Sequence, residues 1–346
     1  MALLLTGCTP AVPTTPGASA GSTSTPTPKP ATAATVRVPT TCQALVPRHD
    51  VDAAAGAATE PAVPTRTHTP VSYTDDRVGA LTCAWKVGTG GDASNSSSVT
   101  ITIVPGVTKQ AFDDRRHGIS VGGTDVQAAF GDDSYTVCYF EGTGTGCSFA
   151  ELANGYGVLG GVYRAGTQED KTLAAADSAL FGQVNGAVVA LASPAPLWEP
   201  SGPTVHGVST CDGIATPAQI SAVFPATDPH EVKGEGGEDA ISTLGAAQLV
   251  GAYYCIVGGL TGVQYEAGLR LAVLPGGASY VAAAKRADPQ GTAAQGVSGI
   301  GDSAFYYPAT GTLDVVAGNG WVQVALKGAQ LDKLELMARA VISNLA

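Results

Sequence analysis

The sequence predicts an α+β fold built twice, as two tandem copies of a small antiparallel sheet packed with helices, each copy closed by a disulfide. Three observations predict it. Landmark residues recur when the chain is slid along itself by about 170 positions. Six cysteines remain once an N-terminal one is set aside, the even number expected of an oxidised framework. Short apolar runs bounded by Pro-Gly and Asn-Gly turns alternate with stretches at helical spacing, an order that places helices on an antiparallel sheet.

The chain opens with an address. Residues 1–8 end in Leu3-Leu4-Leu5-Thr6-Gly7-Cys8, which resembles a bacterial lipobox: an apolar run, a small residue that lets signal peptidase cut, then a thiol that takes diacylglycerol. The resemblance implies that Cys8 is lipidated and anchors the protein to the outer face of the cell membrane. Signal peptides begin with a positive region, and no Lys or Arg precedes Cys8. The rest of the signal is therefore expected upstream of the residue numbered 1. Residues 9–40 are almost entirely Thr, Pro, Ala, Ser and Gly. Such a stretch buries no core and reads as a solvated tether, spanning roughly 30 Å as a coil and about 100 Å as extended polyproline. No other run approaches a membrane-spanning length, so the lipid is the expected membrane attachment.

At 346 residues in all, the chain has room for about two domains. With 44% hydrophobic and 14% charged residues, the chain can fill cores and lacks the charge density of a disordered protein. The net charge of −11 is spread evenly. Residues 40–203 hold 9 Lys and Arg against 17 Asp and Glu, and residues 204–346 hold 7 against 12. No basic stripe exists to bind nucleic acid, and anionic headgroups would repel both halves.

The first copy spans 41–192 and the second 204–346, joined by the proline-rich connector 193–203. Thr41-Cys42 aligns with Thr210-Cys211, each leading into a helical stretch, and Thr216-Pro217 adds a capping hydroxyl followed by a helix-starting proline. Cys83 and Cys255 lie in matching apolar runs. Val104-Pro105-Gly106 matches Leu274-Pro275-Gly276, and Gly131-Asp132-Asp133-Ser134 matches Gly301-Asp302-Ser303-Ala304 at the start of a strand. Asn154-Gly155-Tyr156 matches Asn319-Gly320-Trp321, a hairpin turn entering an apolar strand. Leu331, Leu334, Ala338, Val341, Ile342 and Leu345 form one helical stripe that closes the second copy; its counterpart runs near 171–192. Each copy thus reads helix, two or three strands, helix, two or three strands, helix.

Six cysteines allow 15 pairings. The repeat singles out Cys42–Cys83 and Cys211–Cys255, which leaves Cys138–Cys147. Zinc sites bring cysteines in close pairs, and none occurs here; the five histidines are scattered singly. No cofactor or metal is expected.

A cysteine before a short helix, Cys83-Ala84-Trp85, a Pro-Gly turn, Gly299-Ile300-Gly301-Asp302-Ser303-Ala304 and a closing helix resemble the DUF3558-type lipoproteins of actinobacteria. The second copy matches best, although Val257 stands where that family has tryptophan. The first adds the Cys138–Cys147 hairpin. The resemblance implies an envelope location and this fold class, and it carries no activity with it.

No residue cluster reads as catalytic. Gly118-Ile119-Ser120-Val121-Gly122 fits a hydrolase nucleophile elbow, but it follows the polar run 113–117, not a buried strand. Asp113-Asp114 lies beside Arg115 and Arg116 and reads as solvated ion pairs. Asp132-Asp133 and its partner Asp302 read as turn residues bonding their own backbone. The Gly- and Ser-rich stretch 88–98 and the acidic stretch 233–239 read as exposed loops. Tyr253, Tyr254, Tyr265, Phe305, Tyr306 and Tyr307 read as core, with a pocket for an apolar small molecule as the alternative. The expectation is a non-catalytic envelope lipoprotein that binds or senses an extracytoplasmic protein or cell-wall partner; a carrier for a lipid-like molecule ranks second and a hydrolase third.

Overall fold

Thr41 and Thr210 each cap a one-turn helix that opens on a cysteine. Their hydroxyls accept from the backbone N–H of Ala44 and Gly213, three residues on, which is the favoured N-cap geometry. A computed structural model describes residues 34–56, 59–64, 66–87, 96–113, 124–126, 133–141, 144–166, 175–232, 245–262, 268–288 and 293–346. The helices are α1 (Cys42–Leu45), α2 (Arg48–Ala55), α3 (Thr74–Val78) and α4 (Ala175–Val189) in the first copy. In the second they are α5 (Cys211–Ile214), α6 (Pro217–Val223), α7 (Ala246–Val250), α8 (Val281–Ala287) and α9 (Leu331–Leu345). Thr216 and Gln219 complete the capping box foreseen for α6.

Each copy builds a seven-stranded antiparallel sheet. The first has β1 (Thr59–Ala62), β2 (Leu81–Val87), β3 (Ser98–Pro105), β4 (Thr124–Val126), β5 (Ser134–Glu141), β6 (Gly144–Ala153) and β7 (Tyr156–Ala165). The second has β8 (Ala226–Glu231), β9 (Tyr253–Leu260), β10 (Leu269–Leu274), β11 (Gln295–Val297), β12 (Ser303–Tyr307), β13 (Thr312–Ala317) and β14 (Gly320–Ala325). Their orders, β1-β2-β3-β7-β6-β5-β4 and β8-β9-β10-β14-β13-β12-β11, coincide strand for strand. Three strands precede the return and four follow, more than the short strand runs foreseen. Disulfides Cys42–Cys83 and Cys211–Cys255 tie the first helix of each copy to its second strand, and Cys138–Cys147 joins directly opposed residues of β5 and β6.

One face of each sheet is covered by that copy's own helices. Val184 and Val188 of α4 pack with Ile101 and Val158, and Val341 and Leu345 of α9 pack with Leu271 and Val322. The opposite faces enclose a third core shared by both copies, in which Val104, Tyr135 and Ala150 meet Tyr254, Leu274 and Trp321. The matching helices α3 and α7 pack on each other in this seam. The described residues, which begin at Ala34, accordingly form one compact unit. Exposing a buried aliphatic side chain costs roughly 1.5–3 kcal/mol, so opening this seam would exceed the usual net stability of about 5–15 kcal/mol. The copies are therefore expected to unfold together.

The connector is pinned along the seam. Buried Arg77 of α3 donates to the carbonyls of Pro275 (3.0 Å) and Trp198 (2.8 Å) and stacks on the Trp198 ring. Arg37 bonds the carbonyls of Val78, Pro105 and Ala195. Each Pro-Gly turn thus receives an arginine that also holds the connector.

One expected alignment is corrected. In the first copy the hairpin turn is Asn154-Gly155, between paired Ala153 and Tyr156. In the second it is Gly318-Asn319, between Ala317 and Gly320. Side chains alternate faces along a strand, so a one-residue slip reverses them. Tyr156 therefore packs in the first copy's own core, whereas Trp321 points into the shared one.

Candidate functional site

The seam positions a histidine that sequence reading set aside. His68 lies in the loop after β1, just before the 3-10 turn Pro70–Tyr73. Ser72 Oγ donates to the carbonyls of Thr67 (2.6 Å) and Thr69 (2.8 Å), drawing the loop onto itself. The turn then rests on β10 and β14 of the second copy. There the His68 ring reaches two carboxylates: Nδ1 donates to Asp288 Oδ2 at 2.5 Å and Nε2 to Asp314 Oδ2 at 2.6 Å. A carboxylate against each nitrogen is the arrangement that an imidazolium, protonated at both, satisfies. Burial by itself lowers the His68 pKa, but hydrogen bonds and charge from Asp314 and Asp288 outweigh it and raise the pKa above its ordinary value.

Asp314 comes from the middle of β13 and is fully buried. Its Oδ1 accepts from Trp321 Nε1 (3.0 Å) and Gln323 Nε2 (2.9 Å). Gln323 Nε2 also donates to the carbonyl of His68 at 2.8 Å, fixing the backbone of the loop as well as its ring. Tyr307 packs edge-on against the imidazole, with ring centroids 4.4 Å apart. Burial, then the negative charge of Asp314, pushes its phenol up.

A cleft of about 520 Å³ opens beside this clamp, within the range of small-molecule sites. Its walls include His68 and Thr69 of the first copy and Tyr254, Arg270, Thr310 and Lys327 of the second. Arg270 and Lys327 are exposed and have no carboxylate partner among the described residues. An imidazolium bonded at both nitrogens has no lone pair with which to take a proton from Thr310 or Thr312. In this geometry His68 holds the two copies together and sets the charge of the cleft floor.

The residues singled out by sequence are dispersed. Asp113 and Asp133 both pair with Lys109, at 2.6 Å and 3.1 Å, so the solvated ion pairs foreseen for Asp113 form with a residue one helical turn back. Asp302 departs from expectation: its carboxylate accepts from the N–H of Gly318 (2.7 Å), tying two hairpins together and not bonding its own turn. Of the aromatic set, Tyr254 enters the shared core, Tyr253 bonds Glu231, and Phe305 and Tyr307 flank the clamp strand β13. Cys8, the residues of the G-x-S-x-G match, Asp114, Asp132 and Tyr265 lie outside the described residues, as do 88–95 of the stretch 88–98 and the whole of 233–239.

His68 and Asp314 stand 246 positions apart, and no spacing rule links them. The legible signal was Asp314 itself. It interrupts the apolar run Thr312-Leu313-Asp314-Val315-Val316, and a carboxylate buried mid-strand needs partners.

No protein-family model, curated protein or solved structure matches the chain. Among the described residues no helix is long and apolar enough to cross a membrane, and no group of His, Cys, Asp and Glu is placed to hold a metal ion.

Proposed function

We propose that this is a lipid-anchored envelope protein of the DUF3558 type that binds or senses an extracytoplasmic partner without catalysing a reaction on it. The seam cleft is where the partner's acidic group docks. One observation carries the reading: a cleft built by both copies, with a buried ionic clamp as its floor and, at its walls, Arg270 and Lys327, neither with a carboxylate partner among the described residues. A fixed floor presents its charges without reorganising, which favours binding. The lipobox-like residues 3–8 and the tether 9–40 support an outward-facing anchor on Cys8.

The test is native mass spectrometry of the full chain purified from its own envelope. The wild type should retain a bound solute or subunit that Arg270→Glu/Lys327→Glu loses; a bare mass from both proteins refutes the reading. Labelling with palmitate in an actinobacterial host checks the anchor, since Cys8→Ser should carry no label.

A further inference from the structure

A second concavity of about 680 Å³ lies between α8 and the strands β12 and β13. Val281 and Ala282 of the helix face Phe305 and Val316 of the sheet across it. Lys285 and Arg286, in the last turn of α8, stand at its edge. Lys285 Nζ sits 4.3 Å from the centre of the Phe305 ring.

The first copy shows what this groove lacks. Counting from the matched Pro-Gly turns, Phe112 corresponds to Ala282; through the paired hairpins, Tyr135 corresponds to Phe305. Phe112 and Tyr135 are buried and pack with centroids 5.7 Å apart, so an aromatic side chain fills the space. The second copy has a methyl group there, and Phe305 is left half-buried in an open apolar trough.

We infer that this groove binds a single-chain anionic amphiphile, its alkyl chain lying on Val281, Ala282, Phe305 and Val316 and its acidic head between Lys285 and Arg286. The apolar walls supply chain burial, and the volume is that of a small-molecule site. Neither cation has a carboxylate partner among the described residues. Asp288, the one acid lining the groove, is committed to His68. An ammonium on a ring face inside an apolar trough favours an acidic group over a neutral one. This groove adjoins the cleft at Arg270 and Lys327 and shares Asp288 with it, but its apolar walls and its cations Lys285 and Arg286 are its own, so the two proposals can fail independently.

The experiment uses the full-length chain with Cys8→Ser, which carries no acyl group of its own. Dansyl-undecanoate is titrated by fluorescence and competed with palmitate, hexadecanol or phosphatidylglycerol vesicles. Saturable binding displaced by palmitate is expected, with hexadecanol about tenfold weaker because it lacks the charge. Ala282→Phe, which copies the first copy's filling, should abolish binding. Lys285→Glu/Arg286→Glu, confined to the helix's edge, should weaken it by about tenfold or more. The inference is overturned by absent saturable binding, by wild-type affinity in both variants, or by vesicle binding that free palmitate does not displace.

Discussion

Where the closing helix of the second copy buries Leu334, that of the first buries Asp177. The two helices bury side chains at matched positions, 177, 180, 181, 184 and 188 against 334, 337, 338, 341 and 345. Arg164 meets Asp177 with both terminal nitrogens. Glu151, bonded to Asn185, stands where the second copy has Val315. On the shared face the contrast reverses. The first copy presents Ala150, Gly157 and Leu159, and the second presents Asp314, Trp321 and Gln323. The first sheet buries its charged side chain, Glu151, beneath its own helices; the second buries its own, Asp314, in the seam. Duplication kept the strand order and let each sheet assign its charged face separately, so the second copy carries the clamp and the first contributes a single loop to it.

The largest effect should come from His68→Ala. It strands Asp314 as a buried carboxylate without its counter-charge, at a cost of about 3–5 kcal/mol in chemical denaturation. Making the seam more apolar, as the first copy does, should recover part of this: His68→Leu with Asp314→Ala removes the imidazole and the fully buried carboxylate together and leaves Asp288, whose side chain is 11% exposed, without its partner. If the double variant is as unstable as the single one, the clamp is not what distinguishes the copies. Both variants should unfold in one transition.

The Cys138–Cys147 staple belongs to the first copy alone and closes a span of 9 positions. Replacing both cysteines with alanine should cost at most about 3 kcal/mol, the chain-entropy limit for so short a loop. Losing the whole first sheet at that cost would mean the copy depends on this hairpin more than its shared strand order implies.

The turns should respond unequally at the next level down. Gly155 and Gly318 both have positive φ, at 79° and 56°, where a side chain costs about 1–2 kcal/mol. A methyl at Gly155 would meet the Pro194 ring at 3.2 Å, whereas one at Gly318 would lie 2.2 Å from the backbone oxygen of Pro203. Gly318→Ala should therefore lower the melting temperature more than Gly155→Ala. Equal effects would remove the case for a connector held rigidly against the second hairpin.

These particulars also explain what the sequence could disclose. Disulfide partners, helix caps and the closing stripe were readable because each depends on local chemistry or on recurrence between copies. The seam was not. Strands such as β9 and β10 bury both faces, with Cys255 and Leu271 in one core and Tyr254 and Ala272 in another, so no alternation marks which face meets a partner. The hairpin alignment failed for a related reason: matching Asn-Gly pairs by letter hid a slip that only strand register exposes. His68 was invisible because its partners arrive through packing between copies, not through neighbours in the chain.

Glu151 gives the smallest effect and the one most specific to the first copy. Burial pushes its carboxyl up to about 7, with the Asn185 hydrogen bond opposing only in part. Below the unfolded carboxyl's own titration, near 4.5, both states are protonated and Glu151 has no influence on stability. Between that pH and about 7 the unfolded chain ionises while the folded one resists, so stability falls as pH rises. Above about 7 both are ionised and the penalty is constant. Glu151→Gln keeps a neutral amide opposite Asn185 and abolishes this slope. At pH 8 it should be more stable than wild type, on the order of 1 kcal/mol after allowance for solvent screening, with the two proteins converging near pH 4. Val315 holds the equivalent place in the second copy and has no titration of its own. A wild-type and Glu151→Gln pair with parallel pH profiles would show that Glu151 is solvated, and that the first copy's inner face is less dry than its neighbour's.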